Sequence, residues 1–153
     1  MFGKSVGQYL SFQKVFLIAI IVVFLVRLGL SLAGTPIGIA KWFSVTVVLL
    51  FGTLYYGVAV QTHGFGSYKQ LLPLGLFQSV LAEGLVGLAI VLGMITGQDN
   101  IYTAPEYSGG TDGKNWGHVL GHVLVGSVLL PLMSWAISSL VLFVTKKVTP
   151  RSA

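Results

Sequence analysis

The chain has 153 residues, of which 54% are apolar and 8% charged, with no cysteine and a formal net charge of +5; its mean hydropathy is +0.87. Soluble domains carry about a quarter charged residues, so there is too little polar side chain here to cover a core in water, and lipid is the expected solvent. Disulfides, thiolate metal sites and cysteine catalysis are excluded, and nine cations scattered over the whole chain point to membrane orientation rather than to nucleic acid.

Residues 1–14 form a polar lead carrying Lys4 and Lys14, and Ser5 with Gln8 has the spacing of a capping box. The first span is expected over about 15–33, enough helix at 1.5 Å per residue for a hydrocarbon core of roughly 30 Å. Ser31-Leu32-Ala33 has the look of a leader cleavage site. The apolar run is longer than a leader's, however, and Arg27 interrupts it, so the span is expected to be retained. Gly34-Thr35-Pro36 then supplies a helix stop, a cap and a first-turn proline. So tight a turn sends the second span, about 37–61, back beside the first.

The segment Thr62-His63-Gly64-Phe65-Gly66 reads as a turn, and Ser67 with Gln70 is a second capping-box pair. The third span, about 70–96, has Pro73 in its early turns and contains Glu83, with Gly84, Gly87 and Gly93 permitting close helix approach. The loop 97–115 is the one long connection, glycine-rich and acidic. Asp112 or Asn115 is placed to cap the fourth span, about 116–145. That span is about 45 Å of helix, more than a bilayer core requires, so it must tilt, kink at Pro131 or project. The expected fold is one membrane domain over 1–153: all-α, an integral membrane, up-and-down bundle of four transmembrane helices.

Charge sets the expected orientation. Lys4, Lys14, Lys69, Lys146, Lys147 and Arg151 fall on the side of the termini, while Lys41 and Lys114 fall on the other with Asp99, Glu106 and Asp112. This bias places the chain in a plasma (inner) membrane, multi-pass, with both termini cytoplasmic and the acidic loop outside.

Arg27 and Glu83 are the ionised side chains deep in the spans, opposite in sign and at similar estimated depth. A lone charge there costs from about 3 to well over 10 kcal/mol, so a structural ion pair is expected, with a proton or ion relay as the functional alternative. His118 and His122, four residues apart, share a face at the outer end of the fourth span. With Asp99, Glu106 or Asp112 they form a candidate polar site, and His118 and His122 are the ligands if a divalent metal binds. Gly117 and Gly121 lie in the adjacent row as a GxxxG pattern. No cofactor is expected. Haem b is the other alternative to a metal, and His63, at the opposite end, cannot share one haem with the outer pair, which leaves His122 with Met94.

Residues 108–115 lack the Lys-Ser/Thr spacing of a phosphate loop, and no nucleophile has a base placed beside it, so no catalytic residue is assigned. The turn Arg27-Leu28-Gly29, in a four-span chain of this size, resembles the small DoxX-type membrane proteins. The likeness covers one helical turn and implies no residue role. The leading expectation for function is a non-catalytic accessory bundle that binds other membrane subunits or a second copy of itself. The alternatives are a proton-linked carrier or conduit using Arg27, Glu83 and the outer histidines, and a metal- or haem-binding redox component.

Overall fold

The computed structural model describes residues 1–149; Arg151, counted above among the cations beside the termini, lies outside them. The described residues are helical and loop-connected, with no strand. Four segments are long and apolar enough to cross a membrane: Val6–Leu32, Ile37–Thr62, Tyr68–Thr96 and Trp116–Val148.

Helix α1 (Val6–Leu32) begins nine residues before the expected span. Its capping box forms, with Gln8 N donating to Ser5 Oγ at 3.2 Å and Ser5 N to Gln8 Oε1 at 2.8 Å. The second span is not the single helix expected. A short helix α2 (Ile37–Ala40) stops, and Ser44 starts α3 (Val45–Thr62) by accepting from Val47 N. Serine competes for backbone donors just where a helix can restart, so a cap in mid-span divides it. Helix α4 (Tyr68–Thr96) carries Pro73 in its second turn and ends at Gly97, whose φ of +72° favours glycine.

The fourth span is also composite: α5 (Trp116–Leu120), a π-helical segment Gly121–Gly126, then α6 (Ser127–Val148). Asn115 is the cap, its Oδ1 accepting from His118 N at 2.9 Å. Asp112 instead turns the loop by accepting from Lys114 N at 2.9 Å. The irregularity of this span therefore includes a π segment upstream of Pro131.

Helix α6 packs chiefly on α4 and α3, and α1 packs on α4 and α3. Among the described residues α1 and α6 do not meet. The packing order is thus α1, α3, α6, α4, with sequence-adjacent spans not always the closest partners. Hydrogen bonds fix these pairings inside an apolar interior. Gln78 Nε2 donates to Gln13 Oε1 between α4 and α1 at 3.1 Å, and Thr53 and Ser134 hydroxyls meet at 2.7 Å between α3 and α6. Each such bond is worth about 0.6 kcal/mol in lipid. One end of the bundle gathers the N-terminal segment, the 63–67 turn and the end of α6, with Gln70 Nε2 donating to Phe2 O and Lys146 Nζ to Ser67 Oγ. The loop 97–115 lies at the other.

Helices α3 and α6 approach closely at Gly57, where a Cβ would fall 2.6 Å from Val141 Cβ and 2.9 Å from the Ser138 carbonyl oxygen. Gly87 and Gly93 are similarly crowded. Gly84, Gly97 and the expected packing pair member Gly121 meet nothing within 4 Å. Gly57→Ala is expected to lose about 1–3 kcal/mol by overpacking α3 on α6, whereas Gly84→Ala is expected to be neutral or slightly stabilising. Reversible unfolding of both variants in detergent micelles checks the contrast.

Candidate functional site

The loop 97–115 does not stay outside the helix ends. Asn100 is buried and sends its Nδ2 to the Ala89 carbonyl of α4 at 2.9 Å, while its Oδ1 accepts from Tyr102 N at 3.0 Å. Asn100 N donates to Thr103 Oγ1 at 3.0 Å, closing the turn. This arrangement drives Ile101 and Tyr102 back into the bundle, where Tyr102 stacks on Phe24 at 5.5 Å. Burial pushes the Tyr102 phenol up to about 12, against the nearby Arg27 charge, which pulls it down. Tyr102 therefore remains an O–H donor at neutral pH.

Arg27 and Glu83 are each 8% exposed and line one cavity of about 270 Å³, but no salt bridge joins them. The Arg27 guanidinium lies 5.1 Å from the ring centroids of both Tyr102 and Tyr107, a cation–π arrangement of the kind favoured by this planar group. Glu83 instead takes a partner that its position in the sequence does not reveal. Its Oε2 is 2.5 Å from His122 Nδ1. His122 Nε2 is 3.2 Å from His118 Nε2, and His118 Nδ1 is 3.0 Å from the Gly113 carbonyl oxygen.

The carbonyl end gives this chain a direction. A carbonyl only accepts, so His118 carries its proton on Nδ1. One further proton then has three places to sit with every hydrogen bond kept. On Glu83, the acid donates to His122 Nδ1, and His122 Nε2–H donates to His118. On His122, the imidazolium donates both ways. On His118, the imidazolium donates from Nε2 to His122, whose Nδ1–H donates to the Glu83 carboxylate. The three forms have the same net charge. Two short hops connect them, without rotation of any side chain.

The π segment and a glycine make the contact possible. A Cβ on Gly126 would lie 2.6 Å from Glu83 Oε2, so the carboxylate rests against bare backbone. π turns inside α-helices recur at functional sites, and this one spans the sequence between His122 and Gly126.

The loop carboxylates expected around the histidines do not join them. Asp99 forms a salt bridge with Lys114, and Asp112 lies 3.6 Å from the same ammonium. The Asp99 hydrogen bond raises the Lys114 pKa above the ordinary lysine value. Glu106 sits in the 3₁₀ turn Pro105–Tyr107, with no salt bridge among the described residues. The two histidine Nε2 atoms, each backed by an oxygen on Nδ1, are the pair that would chelate a divalent ion. Among the described residues no group of three histidine, cysteine, aspartate or glutamate side chains is arranged to hold one. His63 is at the opposite end, bonded to Thr62 and the Ala59 carbonyl. Sequence reasoning missed Tyr102, Tyr107, Lys41 and Ser44 as cavity-lining groups. Their only signal is polar or aromatic character beside helix breaks.

No protein-family model matches the chain, and neither a curated protein nor a solved structure gives a significant match.

Gly126→Ala tests the geometry. Its backbone is ordinary helix, with φ −60°, so the helix itself tolerates the change, but the displaced atoms belong to a buried carboxylate bonded to His122, and losing that bond should cost about 3–5 kcal/mol. The carboxylate must move, and the low-field proton resonance of a short Glu83–His122 bond should disappear from the NMR spectrum.

Proposed function

We propose that this protein is a small proton-linked membrane carrier in which Glu83, His122 and His118 hold one transferable proton beside a polar cavity. The observation that carries this reading is the unbroken Glu83–His122–His118 hydrogen-bond chain, with Glu83 and His122 both lining the cavity. Ionisable groups within membrane spans most often mark ion or proton pathways, and imidazole, with a nitrogen on each side of the ring, is the usual side chain of a proton shuttle. Arg27 acts in this scheme as a fixed positive charge on the cavity wall rather than as the partner of Glu83.

The four apolar helices cross a bacterial-type plasma (inner) membrane in alternating directions, with both ends of the chain cytoplasmic. Support for this orientation comes from charge. Lys4, Lys69, Lys146 and Lys147 belong to the end where the N-terminal segment, the 63–67 turn and α6 gather, while Lys41 and Lys114 lie at the loop end.

A partner-binding role is the second reading, and Gly121 favours it. Among the described residues a Cβ on Gly121 would meet no other element within 4 Å, and one on Gly117 would meet only the Asn115 side chain, so another helix can approach their backbone closely. A second copy of the chain is the simplest occupant. On that reading Gly117→Leu with Gly121→Leu converts a dimer in detergent to a monomer, measured by light scattering.

For the carrier, Glu83→Gln and His122→Gln are expected to fold, by circular dichroism, and to lower dissipation of an imposed pH gradient in liposomes. The expected drop is about a hundredfold, the low end of what a positioned proton-transfer group contributes. Wild-type liposomes no leakier than empty ones would remove the carrier reading. For the orientation, a fluorescent protein fused to the C-terminus should fluoresce and alkaline phosphatase at the same place should be inactive.

A further inference from the structure

Arg27 presents a charge with no carboxylate paired to it among the described residues. It is 8% exposed, and the nearest buried carboxylate, Glu83, is committed to His122. Its Nε is buried with no acceptor among the described residues, and the Tyr102 hydroxyl, also buried, likewise lacks a partner. Ring faces offset part of a guanidinium's desolvation but accept no hydrogen bond from its edge. An unpaired Nε on the buried cation, next to an unpaired phenol, is costly to maintain, at several kcal/mol for the charge alone. The remedy that leaves the fold unchanged is an acceptor from outside the chain.

The cavity those groups line suits such an acceptor. Its volume of about 270 Å³ is just below the usual range for small-molecule pockets. A second cation, Lys41, stands on its wall together with Tyr107 and Ser44. The rest of the wall mixes apolar Val45, Leu49 and Val86 with Thr46, Glu83 and His122. Two cations on a wall that also offers Val45, Leu49 and Val86 suit a molecule with one anionic end and a compact hydrocarbon body. The Glu83 carboxylate faces the same space, which disfavours a dianion over a monoanion. The in-plane N–H groups of a guanidinium pair with both oxygens of a carboxylate, which a point-charge ammonium cannot do.

We infer that the cavity between Arg27, Lys41 and Tyr102 binds a small organic monocarboxylate, its carboxylate on the guanidinium edge and the Tyr102 hydroxyl. This assignment rests on the carrier reading and names its solute class: a carboxylate taken up beside a transferable proton.

Isothermal titration of the full-length protein in detergent with sodium benzoate tests it, with inorganic phosphate as the dianion-containing comparison. Saturable one-to-one binding of benzoate, at least tenfold tighter than phosphate, is expected. Arg27→Lys keeps the charge but loses the fork and should weaken benzoate at least tenfold. Tyr102→Phe, a loop change that keeps the stacked ring, should weaken it several-fold and leave the melting temperature of the ligand-free protein unchanged. Equal binding by wild type and both variants would overturn the assignment. So would absent benzoate binding when the same preparation, in nanodiscs, retains phosphatidylglycerol over phosphatidylcholine, since the anion would then be a lipid headgroup. Dissipation of a pH gradient by liposomes that bind no benzoate would reject the solute class while leaving the proton chain intact. Loss of both would reject both.

Discussion

The contact between Glu83 and His122 organises the interior. A carboxylate whose side chain is 11% exposed among apolar helices must find a proton or a cation. The imidazole supplies either, because it can hold the proton itself or accept a bond from the acid. Contact at this site ties α4 to the π segment of the fourth span, and His118 extends the tie to the Gly113 carbonyl of the loop. Glu83 thereby leaves Arg27 free to use its charge elsewhere.

Both departures from regular helix border the same cavity. The break between α2 and α3 places Lys41 and Ser44 on its wall, and the π segment places His122 there. A regular helix through 37–62 would keep every backbone group bonded and is the cheaper structure in lipid, where an unpaired group costs several kcal/mol. Breaks of this kind persist where irregular backbone is buried in protein or lines a polar cavity. The re-entering loop belongs to the same construction. Asn100 bonds the Ala89 carbonyl in the body of α4, and Tyr102 arrives beside Arg27 as a result.

The four apolar segments are legible in the sequence because hydropathy needs only composition and length, and the ends are legible because caps are local. Ser5 with Gln8 and Gly97 do what their neighbours imply. The Arg27–Glu83 pairing is not legible in the same way. Rise per residue gives depth along an axis but says nothing of the direction in which a side chain points. Depth itself misleads once the loop folds inward. Glu83 lies about 20 Å of helix before Thr96, while His122 lies about 9 Å past Trp116. They meet because α4 runs on beyond the start of α5 and the loop returns alongside it to the level of Ala89. For the same reason two of the loop carboxylates, Asp99 and Asp112, end up beside Lys114 instead. The Gly117/Gly121 row fails as a guide to packing within the chain, since close contacts fall at Gly57, Gly87, Gly93 and Gly126 instead, and of these only Gly87 and Gly93 are marked in the sequence.

The bond from His118 Nδ1 to the Gly113 oxygen has a consequence for how a proton would travel. A peptide oxygen cannot take the proton onward, so charge that has reached His118 is stranded there unless the imidazole lets go of its anchor or its outer nitrogen turns to water. On the carrier reading, the proton would wait there between one release and the next. Movement of residues 113–118 would then serve as the release step, so a stiffened loop should trap the charge even with all three acidic and imidazole groups in place.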